Sequence, residues 1–244
     1  MNDIPQKQQS TTNGSISNRQ KQKQDKRKNI PTKEESILFI TNPHCVCHND
    51  VQNICDQVSR KRRNQFIQPF SPIYTNNQIE VVLSNKNPIP IIGLFPKIHR
   101  SVIDLNRNRS KNTFHFKAFE LLLNEFPNII LLDIHSYPKA DNWGEKANKN
   151  TDLVILYCPQ MNETQKTILN KLKIHCRDFN IVSIPGGENT LINHATSKNH
   201  FAILLEFPDF GNDARANRLI NTIYDFFTLD STSSMIEDAY PNMR

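Results

Sequence analysis

The feature that most constrains this chain is a set of short runs that are apolar at every position, separated by stretches with helical spacing. Ile37–Ile40, Ile129–Leu132 and Phe201–Leu205 show no polar alternation. A strand with one wet face alternates apolar and polar residues, so strands apolar on both sides are covered on both. Between these runs, Phe114, Ala118, Phe119, Leu122 and Phe126 recur at helical intervals, as do Ile168, Leu169, Leu172 and Cys176. Ala216, Leu219, Ile220, Ile223 and Phe227 repeat the pattern near the end. Such alternation predicts a three-layer α/β/α sandwich around a mixed, mostly parallel sheet.

Strands are predicted at Ile37–Thr41, Ile79–Leu83, Ile89–Leu94, Ile129–Asp133, Leu153–Tyr157, Ile181–Ile184 and Phe201–Phe207, with a further strand-like run at Ser101–Leu105. Asp50 can cap a helix over Val51–Arg63. Pro127 stops the helix that begins near Phe114. Asn162 with Gln165 forms a capping box, and a last helix covers Asp213–Thr228. A chain of 244 residues suits one domain, placed at 36–229. Residues 1–35 hold almost no large apolar side chain and are predicted to form a disordered basic tail, with a second flexible tail at 230–244.

Charge and composition narrow the partners. The formal net charge is +6, and residues 1–35 supply most of it, with eight Lys/Arg against four Asp/Glu. The domain itself is nearly neutral, so nucleic-acid binding is expected only weakly, through the basic tail or the Arg60–Arg63 cluster. No apolar run approaches the roughly 18 residues that span a bilayer, and the start lacks a signal-peptide core. Five cysteines, Cys45, Cys47, Cys55, Cys158 and Cys176, form no regular framework. The expectation is a cytoplasmic protein with no membrane partner.

The strand ends carry the candidate chemistry, because open α/β sheets collect ligands at their carboxyl edges. Asp133-Ile134-His135-Ser136 closes one strand, placing His135 rigidly with Asp133 available to fix its ring. Pro43-His44 follows the first strand, with Cys47, His48 and Asp50 close behind; imidazole and thiolate favour zinc, with one position left for water. Asn106-Arg107, and Arg100 nearby, offer a planar guanidinium to a substrate carboxylate or a developing oxyanion. Glu206 interrupts an apolar strand, a place suited to a general base. Pro185-Gly186-Gly187 would let backbone pass close to a ligand.

The order of these motifs resembles the N-formylglutamate amidohydrolase family, which is related to the zinc carboxypeptidases and aspartoacylases. The matching pieces are Pro43-His44, Phe95–Arg107 with its Arg-x-x-x-Asp-Leu-Asn-Arg block, Leu132–Ser136, Ile184–Gly187 with Thr190, and Leu204–Glu206. The resemblance implies a phosphorylase/hydrolase-like fold and one zinc ion held by His44, His135 and a further ligand. It also implies that Asn106 and Arg107 bind substrate or oxyanion and that Glu206 acts as base and then acid. The family has Ser-Gly after its first histidine, where this chain has Cys45-Val46. Related carboxypeptidases place a glutamate where Cys47 stands, which leaves the third ligand open between Cys47 and Asp50. The implied activity is zinc-dependent hydrolysis of a C–N amide bond in a small, carboxylate-bearing substrate; a catalytically degenerate relative that binds a partner is the alternative.

Overall fold

The structure, a computed structural model, describes residues 36–43, 54–84, 89–97, 105, 111–138, 150–187, 189–209 and 212–228. The predicted tails at 1–35 and 230–244 lie outside these residues, as does most of the Ser101–Leu105 run; Leu105 itself is fully buried in a turn.

In chain order the elements are β1 (Ile37–Thr41), α1 (Ile54–Ile67), β2 (Ser71–Thr75), β3 (Ile79–Ser84), β4 (Ile91–Pro96), α2 (Phe114–Glu125) and β5 (Ile129–Tyr137). They continue with β6 (Leu153–Tyr157), α3 (Glu163–His175), β7 (Ile181–Pro185), α4 (Thr190–Ser197), β8 (Phe201–Pro208) and α5 (Asp213–Thr228). The strands form one eight-stranded sheet in the order β2-β3-β4-β1-β5-β8-β6-β7. β4, β1, β5 and β8 run parallel to one another, and β6 turns against β8 with β7 parallel to it. Together these are the predicted mixed sheet and α/β layering.

Apolar side chains fill both faces. On one, Leu38, Ile40, Ile130, Leu132 and Leu205 meet Phe66 and Ile67 of α1, Leu169 and Leu172 of α3, and Leu219 and Ile223 of α5. On the other, Ile37, Phe39, Leu131 and Leu204 meet Phe116, Phe119 and Leu123 of α2 and Leu191 and Ile192 of α4. The rings of Phe39 and Phe119 stack at 5.6 Å. The predicted capping box is present: Gln165 N donates to Asn162 Oδ1 and Asn162 N to Gln165 Oε1, each at 2.9 Å.

Local departures have local causes. Phe114 is exposed rather than inward, because five residues of helix turn it about 140° from Phe119, which centres the buried stripe. α1 runs past Arg63 to bury Phe66 and Ile67. The Arg60–Arg63 cluster is not an open basic face: Arg62 is buried against Asp213 at 2.7 Å, and Arg63 lies over the Phe95 ring at 4.0 Å. β2 went unforeseen because it carries Pro72 and is exposed throughout, as an edge strand allows. α4, only 8 residues long and capped by Asn189, was unforeseen as well.

Gly93 shows how tightly α1 sits on the sheet. A Cβ there would lie 2.5 Å from Ile67 Cδ1, 2.6 Å from Phe95 and 2.7 Å from Val82. Gly93→Ala is therefore expected to cost about 1–3 kcal/mol by overpacking, read as a lower urea midpoint with unchanged slope.

Two buried histidines make the fold acid-sensitive. Burial pushes His115 and His200 each down to about 4, against the opposing pull of Asp133 and the Leu94 carbonyl on His115 and of the Leu123 carbonyl on His200. Both stay neutral in the folded chain, while the unfolded chain takes up their protons near pH 6.5. Their contribution is complete above pH 6.5 and is lost as the pH falls toward 4, by up to about 3 kcal/mol for each. Urea denaturation across that range should show a shallower loss of stability in His115→Phe than in the wild type; equal slopes would assign the acid sensitivity to the carboxylates.

Candidate functional site

Strand pairing builds the site. Side chains alternate along a strand, so Asp133, His135 and Tyr137 of β5 share one face. In register, Thr41 of β1 lies beside Asp133, and Glu206 of β8 lies beside His135. All four of Thr41, Asp133, His135 and Glu206 are buried.

The result is a short polar chain. Thr41 Oγ1 donates to Asp133 Oδ1 at 2.7 Å, and Asp133 Oδ2 lies 3.2 Å from His135 Nε2. An ionised carboxylate accepts only, so the proton between them belongs to Nε2. That bond fixes the ring and turns Nδ1 toward Glu206, whose Oε1 is 3.9 Å away. The gap is too long for a hydrogen bond and short enough for electrostatic attraction. The arrangement presents an oriented imidazole nitrogen beside a carboxylate, which suits holding a cation or moving a proton.

Two neighbours escaped the sequence reading. Tyr137 is buried, and its phenol is pushed up to about 12 by burial and by the charges of Glu206, Asp152 and Asp209, so it stays a donor. Its signal was its place two residues past His135 on the same face. His115, in the first turn of α2, is fully buried, and it feels the Asp133 charge. Its apolar neighbours Phe114 and Phe116 masked it as core.

Of the residues singled out in sequence, the structure brings together His135 and Glu206, with Asp133 holding the ring as expected. Glu206 lies within the fifth and eighth strands' pairing, not at an outer edge. His44, Cys47, Asp50, Arg100, Asn106 and Arg107 lie outside the described residues. Among the described residues no three His, Cys, Asp or Glu side chains converge as metal ligands.

Gly186 and Gly187 do not join the site. β7 runs against β8, so its carboxyl end lies at the opposite edge of the sheet. Glu206 is level with Val154 and Val182, and Gly186 lies four residues further along, roughly 13 Å in strand length. Gly186 has a packing role instead: its N–H donates to Tyr157 O at 2.8 Å, and a Cβ would stand 3.2 Å from Leu156 Cβ.

The Thr41 hydroxyl should matter to the buried carboxylate. Thr41→Val is expected to cost about 1–3 kcal/mol through a lost hydrogen bond to a charged group, with Thr41→Ser restoring most of it in urea denaturation.

No family model and no curated protein sequence matches the chain. Among solved structures, it is similar to N-acetylmuramoyl-L-alanine amidase from Clostridium difficile 630, with a TM-score of 0.48 and 13% identity over 79% of this chain and 94% of that one. It is similar also to futalosine hydrolase of Helicobacter pylori strain 26695, with a TM-score of 0.44 and 11% identity over 85% and 100% of the two chains. Purine nucleoside phosphorylase from Toxoplasma gondii gives a TM-score of 0.45 and 7% identity over 86% and 93%. These are distant likenesses of layout, and none carries an inference about chemistry.

Proposed function

We propose that the chain is a zinc-dependent amidohydrolase acting on a C–N amide bond in a small, carboxylate-bearing substrate. The observation that supports it most is His135, fixed through Nε2 by Asp133 with Nδ1 turned toward Glu206 at a sheet carboxyl edge. The donor set fits the metal on the side that is described: an oriented neutral imidazole nitrogen, with a carboxylate behind it and another beside it. His135 and His44, with Cys47 or Asp50, would hold the ion. Zinc supplies there an acidified water and polarisation of a carbonyl.

The chain's own residues do the rest. Glu206 takes a proton on its carboxylate and returns it to the departing amine. Asp133 keeps the His135 ring in one tautomer and one orientation. Arg107 would steady oxyanion charge, and Arg100 and Asn106 would bind the substrate carboxylate and its surroundings. Covering layers on both sides keep bulk water from Asp133 and Glu206, which strengthens each of these interactions.

The expected outcome is one zinc per purified chain and hydrolysis of at least one member of a panel of N-acyl amino acids. Glu206→Gln should lower turnover by a hundredfold or more while zinc content holds, in keeping with a lost general base of about 10²–10⁴. His135→Ala should lose both. Wild-type protein that takes up no stoichiometric zinc sinks the mechanism. Zinc with no turnover across the panel favours a relative that binds without catalysis.

A further inference from the structure

A cleft of about 340 Å³ opens at the carboxyl end of β8, between the polar starts of β6 and β7 and the start of α5. Its size falls in the range of small-molecule sites, roughly 300–1,000 Å³. Phe207, which packs into the α1, α3 and α5 layer, lines it together with Pro208 and Ala216, so its floor is apolar. Glu206 alternates to the other face of β8, which sets this cleft apart from the site described above.

The charges that line it lean one way. Two guanidinium groups, Arg62 and Arg215, meet one carboxylate, Asp152. Asp152 accepts the Asn180 N–H at 2.8 Å and takes Arg215 Nε and Nη2 at 2.6 and 2.7 Å. The Arg215 side chain stays 36% exposed against 15% for Asp152, so this pair shows its cation to solvent more than its anion. Arg62 finds its counterion outside the lining: Asp213 is 56% exposed and divided between Arg62 at 2.7 Å and Lys61 at 2.6 Å. A carboxylate in water offsets less of a neighbouring charge than a desolvated one does. Across the two linked clusters, three cations face two carboxylates.

Donors remain as well. Arg215 directs Nε and Nη2 to Asp152 and the Asp178 carbonyl, and its Nη1 has no partner among the described residues. Asn212 accepts the Arg215 N–H on Oδ1, which leaves Nδ2 to donate. A carboxylate can accept from both, and charge-assisted hydrogen bonds are roughly twice as strong as neutral ones. The apolar floor calls for a carbon stem beneath that head, which a bare inorganic anion lacks.

We infer that this cleft binds a small monocarboxylate with a short aliphatic stem, at a site separate from the Glu206 face and independent of the activity proposed for it. The carboxylate lies against Arg215 Nη1 and Asn212 Nδ2, and the stem lies on Pro208 and Ala216.

The test uses the full chain and two probes of one shape, butyrate and the neutral butyramide, titrated by calorimetry. Butyrate should bind saturably, more weakly as sodium chloride is added, and about tenfold more tightly than butyramide, the difference one charge-assisted hydrogen bond makes. Arg215→Lys keeps a cation beside Asp152 but removes the planar fork, and should weaken butyrate about tenfold. Ala216→Leu fills the floor without touching either ion pair and should weaken butyrate to a similar degree. Both changes are gentle, and thermal melting should show that both variants fold. His135→Ala, on the opposite face, should bind butyrate as the wild type does. Butyramide binding as tightly as butyrate, butyrate binding that does not saturate, or binding that survives either cleft variant overturns the inference. Loss of butyrate binding in folded His135→Ala also overturns it, by moving the probe to the other face. Failure of the zinc or hydrolysis experiments leaves this result untouched, since no arm of it requires metal or turnover.

Discussion

The structure depends on the parallel pairing of β5 with β8. These are the long central strands, nine and eight residues, and nearly every position in them is buried. Buried apolar residues on both faces lock their register, since a slip by one would send each side chain to the wrong layer. In the register observed, Leu205 and Phe207 meet the α1, α3 and α5 layer, and Glu206 meets His135. A shift of one position would bury Glu206 among leucines and isoleucines and set Phe207 beside His135 or Tyr137. The same apolar pattern that makes the strand thus fixes where its one charge lies.

Burying carboxylates sets the second constraint. Asp133 and Glu206 each cost several kcal/mol to take out of water unless a partner compensates. Asp133 receives the Thr41 hydroxyl and His135, and Glu206 has His135 within ion-pair distance. One imidazole therefore stands between two carboxyl groups. That donor set is the physical ground on which a metal centre is proposed here. The neutral phenol of Tyr137 suits the same surroundings, because a donor without charge can stand near several carboxylates where another anion could not.

What the sequence disclosed followed its apolar periodicity. β1 and β6 appeared at their observed bounds, and the α3 capping box was legible from Asn162 and Gln165 alone. β2 was not, because an exposed edge strand with Pro72 needs no apolar face. The candidate site was half legible. His135 and Glu206 were visible because polar residues are conspicuous in apolar runs, and strand direction then brought them together. Tyr137 and His115 were not, since a tyrosine at a strand end and a histidine between phenylalanines read as core. Gly186 and Gly187 were assigned to the wrong edge, because the direction of β7 is decided by a long-range antiparallel pairing that no local pattern records.

That reversal between β8 and β6 has a further consequence. In a sheet whose strands all run one way, the carboxyl edge gathers loop starts and helix amino ends above a single crevice. Here β6 and β7 begin where β8 finishes, so polar strand starts such as Asp152 and Asn180 come to the edge from below while Glu206 comes from within. β8 then acts as a wall with two sides. Glu206 faces the α2 and α4 layer, and Phe207, one residue on, faces α5 and the cleft with its two ion pairs. The ion pairs clamp that wall: Arg62 ties α1 to the start of α5, and Arg215 ties α5 to the start of β6. A strand end held from both sides keeps Glu206 still beside His135, so rigidity on one face of the sheet is supplied from the other. Loosening Arg62 or Arg215 would therefore be felt across the β8 backbone, although neither side chain touches the imidazole.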